Sequence, residues 1–227
     1  MEVVNKVDVV GSEVAAAGSM DFGDGGYSSQ DVIIPKVLVM QGLSNLVMEG
    51  KAKFGDLVDN QTQTVIGNVD DAPIEFIPFH LEKIWIVSKK NGNKYEFSHI
   101  DPVTIGNENR QWEEVRDGAE WKNEKSFNFY SILPSDPTIP YIIQFKGTSQ
   151  RTGKELATQM YVKNKASGLM PPSKTMTLKG SKISNDKGTY IVLKTEIARD
   201  TAVDELGTCL EWYKAVHTGK ATASPEA

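Results

Sequence analysis

Lysines and aromatic residues recur together in this chain: Lys83 with Trp85, Lys94 with Tyr95, Phe145 with Lys146, Tyr161 with Lys163, and Tyr190 with Lys194. An ammonium group neutralises a phosphate, and an aromatic face stacks a base for about 1–3 kcal/mol. Interleaved on a β surface, the two form a grip on single-stranded nucleic acid that does not depend on base identity. The first dense set is Lys83, Trp85, Lys89, Lys90, Lys94 and Tyr95, arranged around Asn91-Gly92. The second is Lys146, Arg151, Lys154, Tyr161 and Lys163. Both are candidate nucleic-acid-binding sets, although an aromatic residue taken alone serves more often as core.

Other chemistry finds little footing. His80, His99 and His217 have no metal-ligand spacing, and Cys209 is the only cysteine, so no structural zinc, other metal or cofactor is expected. The glycine signatures of phosphate loops, dinucleotide folds and nucleophile elbows are missing. Ser184-x-x-Lys187 has the form of a nucleophile motif but falls in an Asn-Asp-Lys-Gly turn without its companion motifs. Asp70-Asp71, Glu113-Glu114 and Glu49 near Lys51 could be imagined as nuclease carboxylates, yet each lies in a polar, turn-like context where solvated acids are the default. The expectation is a binding protein and not an enzyme.

The elements that must hold these residues are mostly strands. Ala72 to Ser88 is densely apolar and predicts a long, bent central strand, bulged near Pro78. Asn91-Gly92 predicts a hairpin into Lys94–Ile100. Phe127 and Phe129 alternate with Asn128, which predicts a strand. Pro134, Pro137 and Pro140 should interrupt the ladder before Tyr141–Phe145 resumes it. A short helix is expected over Thr148–Met160, with Gly153 inside it costing about 1 kcal/mol against alanine. Val32 to Met40 reads as an edge strand or an extended segment because of Pro35, and Ser44 as the cap of a brief helical turn through Met48. Gly50 to Asp59 reads as a turn into a strand, and 101–125 as a long loop anchored by Trp112 and Trp121. A flexible connection follows Asn164, with strands at Lys174–Lys179 and Thr189–Ile197. The closing helix starts at a Thr201-x-x-Asp204 capping box and packs through Cys209 and Trp212.

Composition bounds the rest. The chain has 227 residues, 39% of them hydrophobic, enough for one domain with a substantial core. Its net charge of −5 conceals segregation. Residues 141–200 hold eleven Lys or Arg against four Asp or Glu, a block of +7 that leaves −12 elsewhere. The acidic, Gly-rich residues 1–30 are expected to form a disordered arm, residues 31–218 the folded domain, and 219–227 a flexible tail. A single cysteine and the lack of an apolar run of about 20 residues point to the reducing cytoplasm and to no membrane.

From Ile33 onward, the stretches IIPKVLVMQGLSNLVMEGKAKFGDLV and ILPSDPTIPYIIQFKGTSQRTGKELAT, with the long strand and hairpin between them, resemble a family of tailed-bacteriophage single-stranded DNA-binding proteins. That resemblance implies an OB-fold-like five-stranded β-barrel with insertions, one internal helix and a C-terminal helix. It also implies coating of single-stranded DNA during replication or recombination in the host cytoplasm, without catalysis. Many such proteins recruit partners through an acidic, aromatic-tipped tail, whereas residues 219–227 carry only Glu226. Met20-Asp21-Phe22-Gly23-Asp24 has the composition of a plain linker, and its acid and aromatic content also makes the N-terminal arm a candidate contact for replication or recombination proteins. The alternative is a virion structural or assembly protein using the β-domain as a scaffold; a small metal-dependent nuclease ranks third. Oligomeric state is left open by the sequence.

Overall fold

The computed structural model describes residues 33–186, 188–217 and 222–223. The arm of residues 1–30, its Met20–Asp24 segment, Lys187 and most of the 219–227 tail lie outside the described residues.

The strands are β1 (Ile33–Ile34), β2 (Lys36–Val39), β3 (Asp56–Asp59), β4 (Val65–Asn68), β5 (Ile74–Asn91), β6 (Lys94–Pro102), β7 (Glu113–Arg116), β8 (Ala119–Leu133), β9 (Asp136–Phe145), β10 (Lys174–Asn185), β11 (Gly188–Asp200) and β12 (Thr222–Ala223). The α-helices are α1 (Asn45–Met48), α2 (Gln150–Thr158) and α3 (Val203–His217). Ten strands form one mixed sheet in the order β11-β10-β5-β8-β9-β2-β3-β4, with β6 added to β5 and β7 to β8. The sheet curls into a half-barrel. Its β2–β9 contact is parallel. The fold is therefore mainly β, as the patterning predicts, but has twice the five strands that the resemblance implies.

A helix covers each face of the central strands, which explains why β8 is apolar on both sides. Phe127 and Phe129 point to one side, where they join Ile143, Phe145, Phe76 and Leu178 beneath Leu156 of α2 and Met160. Tyr130 and Ile132 point to the other, with Ile77, Phe79 and Ile142 under Cys209, Trp212 and Val216 of α3. Cys209 and Trp212 are thus packing residues, as expected. Gly153 has a positive reason to be in α2. A Cβ there would lie 2.9 Å from the Phe145 Cβ and 3.0 Å from that of Phe127, so the glycine lets the helix sit down on the sheet.

The long strand shifts register between Pro78 and His80, and Gly92 turns the β5–β6 hairpin at φ 60°, both as predicted. Four expectations need correction. The prolines interrupt the ladder only over residues 137–139, because β9 already pairs Asp136 with Leu133 and is regular again from Pro140, which pairs with Ile132. The Ile142 N–H points to the Pro35 carbonyl, away from β8, so Pro140, two residues earlier, lacks an N–H only on the side with no strand partner. The second strand, β2, is not an edge, for it lies between β3 and β9. Residues 101–125 are a loop only over 103–112: β7 follows and turns into β8 at Asp117-Gly118, both with positive φ (50° and 74°), a two-residue turn that matches strand twist. At the start of α3, Thr201 bonds Thr175 instead of capping, while the Glu205 carboxylate accepts the Ala202 N–H and pairs with Arg199.

Candidate nucleic-acid interface

Alternation along β5 puts Lys83, Trp85, Val87 and Lys89 on one face, and the antiparallel register sets them opposite Phe127, Lys125, Asn123 and Trp121 of β8. Each of three tryptophans on or beside these strands carries cations. Lys125 and Arg110 stand 5.2 and 5.6 Å from the Trp85 ring centroid. Lys89 and Arg116 are each 5.5 Å from that of Trp121, and Lys122 is 4.4 Å from that of Trp112.

Their exposures differ in a way that decides their roles. Trp85 is 4% exposed and donates its indole N–H to the Asn107 carbonyl at 2.9 Å, so it orients cations and presents no face to a base. Trp112 is 48% exposed, and Trp121 is half-buried. The Asp117-Gly118 turn is the sequence signal that places Trp121 in β8; Trp112 stands just before β7, its carbonyl accepting from the Asn123 N–H at 2.8 Å.

The cations of this end are partly committed. Lys90 pairs with Glu120 at 2.6 Å, which raises its pKa, and lies opposite the half-buried Tyr95. Arg110 pairs with Asp101 at 2.6 Å and, through that hydrogen bond, holds the carboxyl below its usual range. Arg116 pairs with Glu114. Lys89 and Lys94 are exposed.

A second group gathers where β5, β8 and α2 meet. Lys125 lies close enough to Lys83 and Lys154 for their charges to add to its own desolvation in lowering its pKa. Its ammonium donates to the Glu108 carbonyl at 2.8 Å, and Gln150 of α2 donates to the Lys125 carbonyl at 2.8 Å. Lys83 and Lys154 come from the two separate sequence sets, and Lys125 was missed by both. The other members of the second set are less concentrated. Arg151 pairs with Glu155 one helical turn on, at 2.9 Å, while Lys146 and Lys163 are exposed at the end of β9 and in the π-helical Gln159–Asn164.

Next to this group is a cavity of about 760 Å³, lined by residues that include Lys83, His80, Thr158, Tyr161, Tyr213 and His217. It forms because β5 changes partner: Ile74–Phe76 pairs with β10 and Ile84–Asn91 with β6, leaving the intervening edge without a strand. Pro171, Pro172 and Tyr161 cover that edge, with Tyr161 beside the Leu81 backbone. Histidines far apart in sequence meet here. His80 and His217 have ring centroids 5.0 Å apart, and Tyr213 stacks on His217 at 4.4 Å. Among the described residues no group of three or more His, Cys, Asp or Glu could hold a metal ion, and no helix is long and apolar enough to cross a membrane. Ser184, from the formal nucleophile pattern, bonds Thr189 on an exposed hairpin.

Neither a curated protein nor a solved structure shows significant similarity to the chain. A family model described as Pam3 phage gp34-like protein, however, matches residues 8–222. A match of that extent takes in the whole sheet and all three helices, and the chain belongs to the Pam3 phage gp34-like family.

Proposed function

We propose that the protein binds single-stranded DNA, largely without sequence specificity, and coats and protects it during phage DNA replication or recombination in the host cytoplasm. The observation that carries this reading is the meeting of Lys83, Lys125 and Lys154, from three different elements, on the curled sheet that also bears Trp112 and Trp121. Two ammonium groups close enough to that of Lys125 to help lower its pKa repel it less when a phosphate enters, and the indoles give unstacked bases a surface. Duplex DNA has no free base faces to offer them. The scaffold in this reading is an elaborated OB-like half-barrel with β5, β8, β9, β2 and β3 as its body. The protein acts by binding and not by catalysis, and its acidic N-terminal arm contacts replication or recombination proteins.

The deciding experiment is a fluorescence-polarisation titration with labelled single- and double-stranded oligonucleotides over a salt series. Preference for single strands, with affinity falling steeply as salt rises, is the expected result. Absent or salt-insensitive binding would remove the reading and leave an assembly scaffold as its replacement.

A further inference from the structure

The cavity beside the lysine group has features that a strand lying across the sheet does not use. Tyr161, from the segment after α2, and Tyr213, from α3, line it and lie close enough for their phenols to interact electrostatically. Both are partly exposed, at 39% and 37%. The apolar parts of Leu81, Ala157, Met170 and Pro171 complete much of the wall. Polar groups are few: the His80 and His217 rings, the Thr158 hydroxyl and the Lys83 ammonium. Apolar walls, aromatic rings and sparse hydrogen-bonding groups suit a flat heterocycle, and about 760 Å³ is ample for one base with its sugar. Lys83 belongs both to this wall and to the three-lysine group, so a phosphate placed on it stays attached to whatever fills the cavity.

We propose that this cavity is a mononucleotide subsite: one nucleobase unstacks from the bound strand and enters between Tyr161 and Tyr213, while its phosphate rests on Lys83. The inference rests on the single-strand reading but concerns different residues from the tryptophan-bearing end. The Thr158 hydroxyl donates to the Lys154 carbonyl at 2.9 Å and His217 Nε2 bonds the Tyr213 hydroxyl at 3.2 Å, so Thr158 offers a base an acceptor while the His80 ring can donate or accept, and the subsite sets no single base edge. One captured base would fix the register of the protein on its strand without setting sequence.

The test uses the full chain and deoxynucleoside 5′-monophosphates, read by saturation-transfer NMR on the base protons and by isothermal titration. Saturable binding with Kd on the order of 0.1–1 mM is expected, weaker for the nucleoside and absent for inorganic phosphate alone. Lys83→Met should weaken the mononucleotide about tenfold and leave the nucleoside unchanged, whereas Tyr213→Ala should weaken both. Trp112→Ala, remote from the cavity, should weaken oligonucleotides alone. No saturation of the wild-type protein by any mononucleotide up to about 10 mM overturns the subsite, whatever the variants do. If oligonucleotides still bind in a salt-dependent way, only the subsite falls. If they do not bind, the single-strand reading falls with it.

Discussion

Lys122 stands 4.4 Å from the ring centroid of Trp112, and that ring is still 48% exposed, so one residue pair presents a cation and an open aromatic face together. Trp85, four per cent exposed under Lys125 and Arg110, has the same chemistry with no open face. The contrast yields a paired prediction. Trp112→Ala should lower single-strand affinity about 5- to 100-fold with little change in thermal stability. Trp85→Ala should destabilise the fold by about 3–5 kcal/mol, as a denaturant melt would show.

The three-lysine group predicts a change in salt dependence. Each of Lys83→Ala, Lys125→Ala and Lys154→Ala should reduce the slope of log affinity against log salt by about 0.7 if it removes one phosphate contact. Arg151→Ala, on an arginine already paired with Glu155, should change it less. Equal slopes for all four variants would show that the group does not meet phosphate as a unit.

Gly153→Ala sets two effects against each other. Alanine favours the helix by about 1 kcal/mol, but its Cβ would lie 2.9 Å from Phe145 and force the helix off the sheet. Overpacking of this kind costs about 1–3 kcal/mol, so a net loss of stability is expected. A stabilised variant in urea melts would mean that α2 can lift without loss.

Acid should weaken the fold through His80. Burial, and secondarily the nearby His217, lower its pKa in the folded protein below the usual 6.5. The folded state therefore resists a proton that the unfolded state accepts. The stability associated with neutral His80 is fully present above about pH 6.5 and declines as pH falls toward the lowered value. Chemical melts from pH 7.5 to 5 should show this decline, and His80→Gln should flatten it. An unchanged profile in the variant would assign the acid sensitivity to other groups.

Cys209 is wholly buried, and burial pushes its thiol up to about 12. Ellman's reagent at pH 8 should leave the native protein unlabelled and react only on unfolding. Fast labelling of the native chain would show that α3 detaches readily from the sheet.

The sequence by itself determined the strand-rich character, the bulge near Pro78, the Asn91-Gly92 hairpin, and α2 and α3, because these depend on local periodicity and turn chemistry. It also set out lysine–aromatic neighbours, since proximity of one or two residues needs no fold. What it could not determine were relations between strands far apart in the chain. Lys125 faces Trp85 only because the antiparallel register of β8 on β5 puts it there, and Lys83 meets Lys154 only because Gly153 lets α2 settle on Phe127 and Phe145. The burial of Trp85, the meeting of His80 with His217 and the cavity at the uncovered edge of β5 were likewise decided by tertiary structure. Each depends on which element covers which face, and no spacing along the chain encodes that.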